Sequence, residues 1–270
     1  MVVQHNLTAM NANRQLSGVT SAQAKSTEKL SSGYRINRAA DDAAGLSISE
    51  KLRSQIRGLD KAASNSQDGI SLVQVAEGAL NETHSILQRM NELATQAAND
   101  TNTSTDRASI QKEMDQLTSE IDRIRSTTQF NSMNLLDGTF KNMKLQVGAL
   151  SGQSIVISID NMDASSLKIS GLKVSSFSSA GKAMTAIQKA INSVSTERSK
   201  LGALQNRLEH TINNLNTTSE NTSAAESRIR DVDMATEMVE YSKNNILAQA
   251  GQSMLAQANQ ATQGVLSLLQ

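Results

Sequence analysis

The side chains able to do chemistry are few and lie far apart. Histidine is the residue best suited to proton transfer and metal ligation near neutral pH, and it occurs at His5, His84 and His210. Those separations match no metal-ligand spacing, and H-E-x-x-H is missing from the sequence. Cysteine is absent, which excludes disulfides and thiolate sites. Two carboxylate pairs stand out, Asp41-Asp42 and Asp231 with Asp233. In a cleft such a pair can divide acid and base roles, but both precede apolar-periodic segments, where a carboxylate caps a helix start and favours its dipole. Helix capping and ion pairing therefore explain them. No G-x-G-x-x-G, P-loop or G-x-S-x-G occurs. His84 and His210 read as partly buried helix-bundle residues, and Met10, Met90, Met114, Met238 and Met254 as core filler. No catalytic residue, cofactor or metal is assigned, and the chain reads as a structural protein.

The elements that carry these residues follow from composition. The 270 residues include 14 Gly, no Pro, no Trp and 2% aromatics, with a hydrophobic fraction of 38%. Tyr34, Phe130, Phe140, Phe177 and Tyr241 are too few rings to fill a thick globular core. Small and aliphatic side chains suit thin helical bundles, and zero proline removes the commonest helix breaker. Lys plus Arg equal Asp plus Glu at 26 each. A nucleic-acid binder would carry a basic surplus or stripe, and no apolar run reaches the ~18 residues of a membrane span. The first residues, MVVQHNLTAMNANRQ, have neither a cationic leader nor an apolar stretch of signal-peptide type.

Three heptad stripes run along the chain. Val73, Ala76, Leu80, Thr83, Leu87, Met90, Ala94 and Ala97 form one, and Ile110, Met114, Leu117, Ile121 and Ile124 a second. The third is Ile187, Ile191, Val194, Leu201, Leu208, Ile212 and Leu215, with Arg198 and Gln205 as polar interruptions. Spacing of about 3.5 residues is the signature of helices packed along a seam. It predicts long helices at about 42–98, 105–128 and 183–229 in one antiparallel, rod-like bundle. Asp41-Asp42 and Ser104-Thr105-Asp106 are the expected caps. Between about 130 and 178 the period shifts to two or vanishes, which predicts a short β-hairpin around Gly148–Gly152 that decorates the bundle with little apolar material of its own.

The two ends differ from the middle. Residues 4–30 are helix-compatible, with Leu7, Met10, Leu16 and Val19, and Gly33 is the expected stop. Residues 234–269 carry Ile246, Leu247, Met254, Leu255, Val265, Leu266 and Leu269 around much of a helix. A helix apolar on more than one face needs more than one partner. The opposite terminal helix supplies one, and the others must come from outside the chain. Both ends are expected to order on assembly.

At this point the residues resemble a known family. LSSGYRINRAADDAAGLSISEKLRSQIRGL (Leu30–Leu59), TQFNSMNLLDG, LGALQNRLEHTINNL (Leu201–Leu215), AAESRIRDVDMATEM (Ala224–Met238) and the terminal LAQANQATQGVLSLLQ resemble bacterial flagellin segments in their order. The resemblance covers nearly the whole chain apart from about 150–185, as in a short flagellin without variable outer domains. It implies a mainly α fold, with the terminal helices paired. Residues 1–40 and 231–270 would form the inner filament core, and 41–230 a helical rod with a β-hairpin region at about 130–180. It implies a helical homopolymer for motility, located outside the cell on the flagellum. Export without a cleaved signal peptide, a flagellar export chaperone, a filament cap and hook-junction proteins are implied as partners. The alternative within the same setting is a hook-associated or junction protein. The resemblance also implies recognition by the host toll-like receptor for flagellin, through Leu87, Gln88, Arg89, Leu93 and Gln96 on one helix and Glu113 on the next. Arg89 and Leu93, four apart, are expected to share a face that also meets the next subunit.

Overall fold

The computed structural model describes residues 6–267, with side chains through 261. Among the described residues there are five helices. α1 spans Leu7–Ser32, α2 Ala43–Ala97, α3 Ser104–Thr127, α4 Phe177–Arg230 and α5 Met234–Ser267. Two small antiparallel sheets lie between α3 and α4: β1 (Gln129–Phe130) pairs with β2 (Met133–Asn134), and β3 (Met143–Gln146) with β4 (Ser154–Ile157). Leu145 faces Ile155 and Met143 faces Ile157 across the second pair. The fold is mainly α, as the heptads require.

The helix ends have identifiable causes. Asn6 Oδ1 accepts from the Ala9 N–H at 3.0 Å and opens α1. Gly33, in the left-handed region at φ 74, closes it and donates its N–H to the Lys29 carbonyl at 2.8 Å. Asp42 accepts from the Gly45 N–H at 2.9 Å and opens α2. The cap of α3 stands one residue before the expected Ser104. Thr103 and Asp106 form a capping box, in which the Thr103 hydroxyl accepts from the Asp106 N–H and the Asp106 carboxylate accepts from the Thr103 N–H. The reciprocal bonds satisfy two free donors, which decides between neighbouring candidates. α4 begins at Phe177, six residues before the expected 183.

The chain divides into two compact units, Gln55–Glu220 and the flanking ends up to Ser54 and from Asn221. In the first, α2 and α4 run antiparallel. Arg198 pairs with Glu77 at 2.6 Å and the Ser219 hydroxyl donates to Asp60 at 2.8 Å, so partner numbers fall as the others rise. Every residue of the first heptad stripe is buried, from Val73 to Ala97. Ile110, Met114 and Ile121 of α3 and Ile187, Val194 and Leu201 of α4 join the same core.

The segment between α3 and α4 does more than decorate: Leu135, Leu136, Ile159, Ile169 and Val174 are all at most 1% exposed and belong to the helix core. Irregular backbone leaves no periodic sign of such burial. On α4, Glu197 faces inward where Arg198 was expected. It is 1% exposed and accepts from the Lys200 ammonium at 2.9 Å and the Asp160 N–H at 3.2 Å. The buried residues Ile187, Ala190, Val194, Glu197 and Leu201 alternate steps of three and four, so the seam runs through 190 and 197, one residue before the expected 191 and 198. The Glu197 carboxylate, followed by Asp160, raises the pKa of Lys200 above the usual lysine range. Finally, His210 is exposed. His84 is half-buried as expected, with Nε2 3.1 Å from the Gln88 amide nitrogen.

Candidate assembly interface

In the unit made of the chain ends, α1 and α5 lie antiparallel. The Asn6 amide donates to the Ala258 carbonyl at 3.1 Å, the Gln23 amide to Asn245 at 3.4 Å, and Lys29 pairs with Glu237 at 3.3 Å. Leu16 sits over Gly251, where an added Cβ would meet Leu16 Cδ1 at 3.3 Å. α5 opens on Asp233, which accepts from the Thr236 and Ala235 N–H groups. These bonds, the Thr236 contacts foremost, hold the Asp233 carboxyl below its ordinary pKa.

Pairing leaves most of the apolar surface unspent. The described buried side chains of α1 are Ala9 and Ser26. On α5, Asn244 is 5% exposed and its amide nitrogen has no hydrogen-bond partner. A buried group left unpaired costs about 1–3 kcal/mol, so the pair is not optimised as a self-sufficient unit. Leu7 is 62% exposed, Met10 65%, Ile246 66%, Leu247 44% and Met254 61%, while Leu16 and Leu255 are half-buried. Val239 at 70% and Met238 at 50% are exposed as well, so Met10, Met238 and Met254 do not fill a core within this chain as expected. Leu269, and the side chains of Val265 and Leu266, lie outside the described residues, as does His5.

Burying one such side chain is worth about 1.5–3 kcal/mol. The five most exposed of the nominated residues, already partly covered, therefore hold about 4–9 kcal/mol of transfer free energy for an external partner. That is enough to offset much of the cost of association.

A polar junction in the same unit was not assigned any role in the sequence. Arg230 stacks over the Tyr34 ring at 4.9 Å, pairs with Glu50 at 2.7 Å and donates to the Ser49 hydroxyl at 3.4 Å. Glu226 accepts from Ser49 at 2.8 Å and from Arg53 at 3.4 Å. Arg35 N–H donates to the Arg230 carbonyl at 2.7 Å, and Val232 N–H to the Gly33 carbonyl at 3.0 Å. The α1–α2 and α4–α5 connectors are thus tied side by side. The only signal available was the density of charged residues flanking Gly33 and Asp231.

The second nominated surface is split by the fold. Gln88, Arg89, Gln96 and Glu113 are exposed, but Leu87 and Leu93 are 0% and 2% exposed and lie in the core. Leu87 follows its heptad position, and Leu93 stands on the buried side next to Ala94, so Arg89 and Leu93 do not share an open face. Arg89 bonds to Glu113 across α2 and α3 at 3.1 and 2.9 Å and to Glu92 at 3.3 Å. The Glu113 hydrogen bonds, reinforced by Glu92, raise the arginine's pKa further.

Residues 3–141 match the bacterial flagellin N-terminal helical region, and residues 184–269 the bacterial flagellin C-terminal helical region. The chain is 56% identical over 271 residues to a flagellin of Halalkalibacterium halodurans, and 53% identical over 305 residues to a flagellin of Bacillus subtilis; each alignment spans 100% of both chains. The crystal structure of Bacillus cereus flagellin is similar at a TM-score of 0.52 and 36% identity, over 60% of this chain and 94% of that one.

Proposed function

This chain belongs to the bacterial flagellin family, and we infer that it builds the flagellar filament through the surface its terminal helices leave uncovered. It is a structural protein. The observation that carries the reading is the contrast between Leu7, Met10, Ile246, Leu247 and Met254, exposed on α1 and α5, and the finished core around α2 and α4. Copies meet through two different patches, so each addition leaves a new patch open and the polymer grows as a helix. α1 and α5 supply the inner layer. The segment 41–230 supplies the outer layer, where Gln88, Arg89, Gln96 and Glu113 meet the next copy.

The subunit works outside the cell and reaches its place by the flagellar export route. A chaperone that covers the C-terminal helix before export follows from the same exposed side chains, which would otherwise associate in the cell. A filament cap and hook-junction proteins then present matching surfaces at the two ends of the polymer. The host toll-like receptor for flagellin reads the exposed Arg89–Glu113 pair, with Leu87 and Leu93 acting as the core that holds it in place.

Negative-stain electron microscopy of the seeded intact chain beside an Ile246→Ser/Leu247→Ser/Met254→Ser variant tests the reading. Long filaments are expected from the intact chain and none from the variant. Filaments from both would overturn the assignment of the terminal surface. An intact chain that stays monomeric with seeds would favour a junction protein instead.

A further inference from the structure

Residues 142–183 fall between the two flagellin matches. The stretch Ser166–Lys189 holds Lys168, Lys173, Lys182 and Lys189 and no Asp or Glu, although the whole chain is neutral. The fold gathers three of them. Lys168, Lys182 and Lys189 line an open groove of about 790 Å³ between the 166–168 loop and the first turns of α4. All three are exposed, and none is ion-paired among the described residues. Lys29 and Lys200, by contrast, both hold carboxylates. The rim of the groove carries Phe177, 63% exposed in a chain with 3 Phe, and the groove also presents the Ser178 and Thr185 hydroxyls.

We propose that this groove binds a sulfated polysaccharide. Lys182 and Lys189 are seven residues apart on one helix face, which places them about 10 Å apart along the axis. One small anion does not reach both, whereas a polymer with anionic groups along its length does. Phe177 offers the apolar face on which a sugar ring rests, and the hydroxyls supply hydrogen-bond partners. The lining contains no arginine, so the forked geometry that favours bidentate phosphate recognition is missing. Binders of single-stranded nucleic acid stack successive bases on several rings, and here one ring is present.

The test measures binding of labelled dextran sulfate to the intact monomeric chain. Unlabelled neutral dextran, polyphosphate and an oligothymidylate serve as competitors. Lys168→Gln/Lys182→Gln/Lys189→Gln is expected to weaken binding about tenfold or more, from three lost charge contacts. Lys51→Gln/Lys61→Gln/Lys112→Gln removes the same charge elsewhere and is expected to change binding less than about twofold. Phe177→Ala should weaken dextran sulfate and leave polyphosphate, which has no ring, unchanged. Equal losses in the two lysine variants would overturn the site, as would competition by neutral dextran. Tighter binding of polyphosphate or of the oligothymidylate would overturn the ligand assignment.

Discussion

Leu80 and Ile246 are aliphatic residues on long helices of the same chain, yet Leu80 is 0% and Ile246 66% exposed. The difference does not lie in helix-forming tendency. α2 presents a seam that α3, α4 and the segment between them cover completely, whereas α5 meets a single helix and its apolar residues point several ways. A seam of 3.5-residue period is satisfied by partners along one face; an apolar surface wrapping around a helix needs partners on several sides. One region buries its apolar residues within the chain, and the other leaves them exposed.

Substitutions sharpen this comparison, and the largest effect should come from the finished region. Leu80→Ala is expected to cost about 2–5 kcal/mol in urea unfolding of the monomer, while Ile246→Ala stays within about 0.5 kcal/mol. Equal losses would mean that α5 is already buried in the monomer.

Glycines of α2 give opposite signs within one helix. A Cβ on Gly58 would meet Ala149 Cβ at 2.9 Å and its Cα at 3.3 Å, so Gly58→Ala pushes the β3–β4 turn away and is expected to cost about 1–3 kcal/mol. Gly78 has nothing within 4 Å, and Gly78→Ala should gain up to about 1 kcal/mol from helix propensity. Thermal melts of both variants check the pair. A stabilised Gly58→Ala would show that the turn does not seat on α2.

The smallest effects concern the caps. The Thr103 hydroxyl and N–H lower the pKa of Asp106, and the Thr236 N–H foremost lowers that of Asp233. A carboxylate with a depressed folded pKa contributes stability that is present above its unfolded value, about 3.9. That contribution fades as the pH falls through the folded value below it. Circular dichroism from pH 7 to pH 3 should therefore show the starts of α3 and α5 loosening in acid. Asp106→Asn and Asp233→Asn should flatten that dependence at their own helices.

Much of this was legible in the residues because burial followed a period. The stripe from Val73 to Ala97 is buried at every position, and Gly33 closes α1 as its type and place require. The same period places Leu87 in the core, where it is 0% exposed. Glu197 escaped notice because a period resolves a face only to about one residue, and its burial depends on Lys200 and on a backbone N–H distant in sequence. Leu135, Ile159 and Ile169 sit on irregular backbone, which has no period to read. The Tyr34–Arg230 junction joins residues nearly two hundred positions apart, and only the antiparallel course of both helix pairs brings them together.

Amide hydrogen exchange of the monomer and of the seeded filament tests the central claim most directly. We expect α2 and α4 to be strongly protected in both states, while α1 and α5 exchange rapidly in the monomer and gain at least about a hundredfold protection in the filament. Protection of α1 and α5 in the monomer equal to that of α2, and unchanged by assembly, would contradict it.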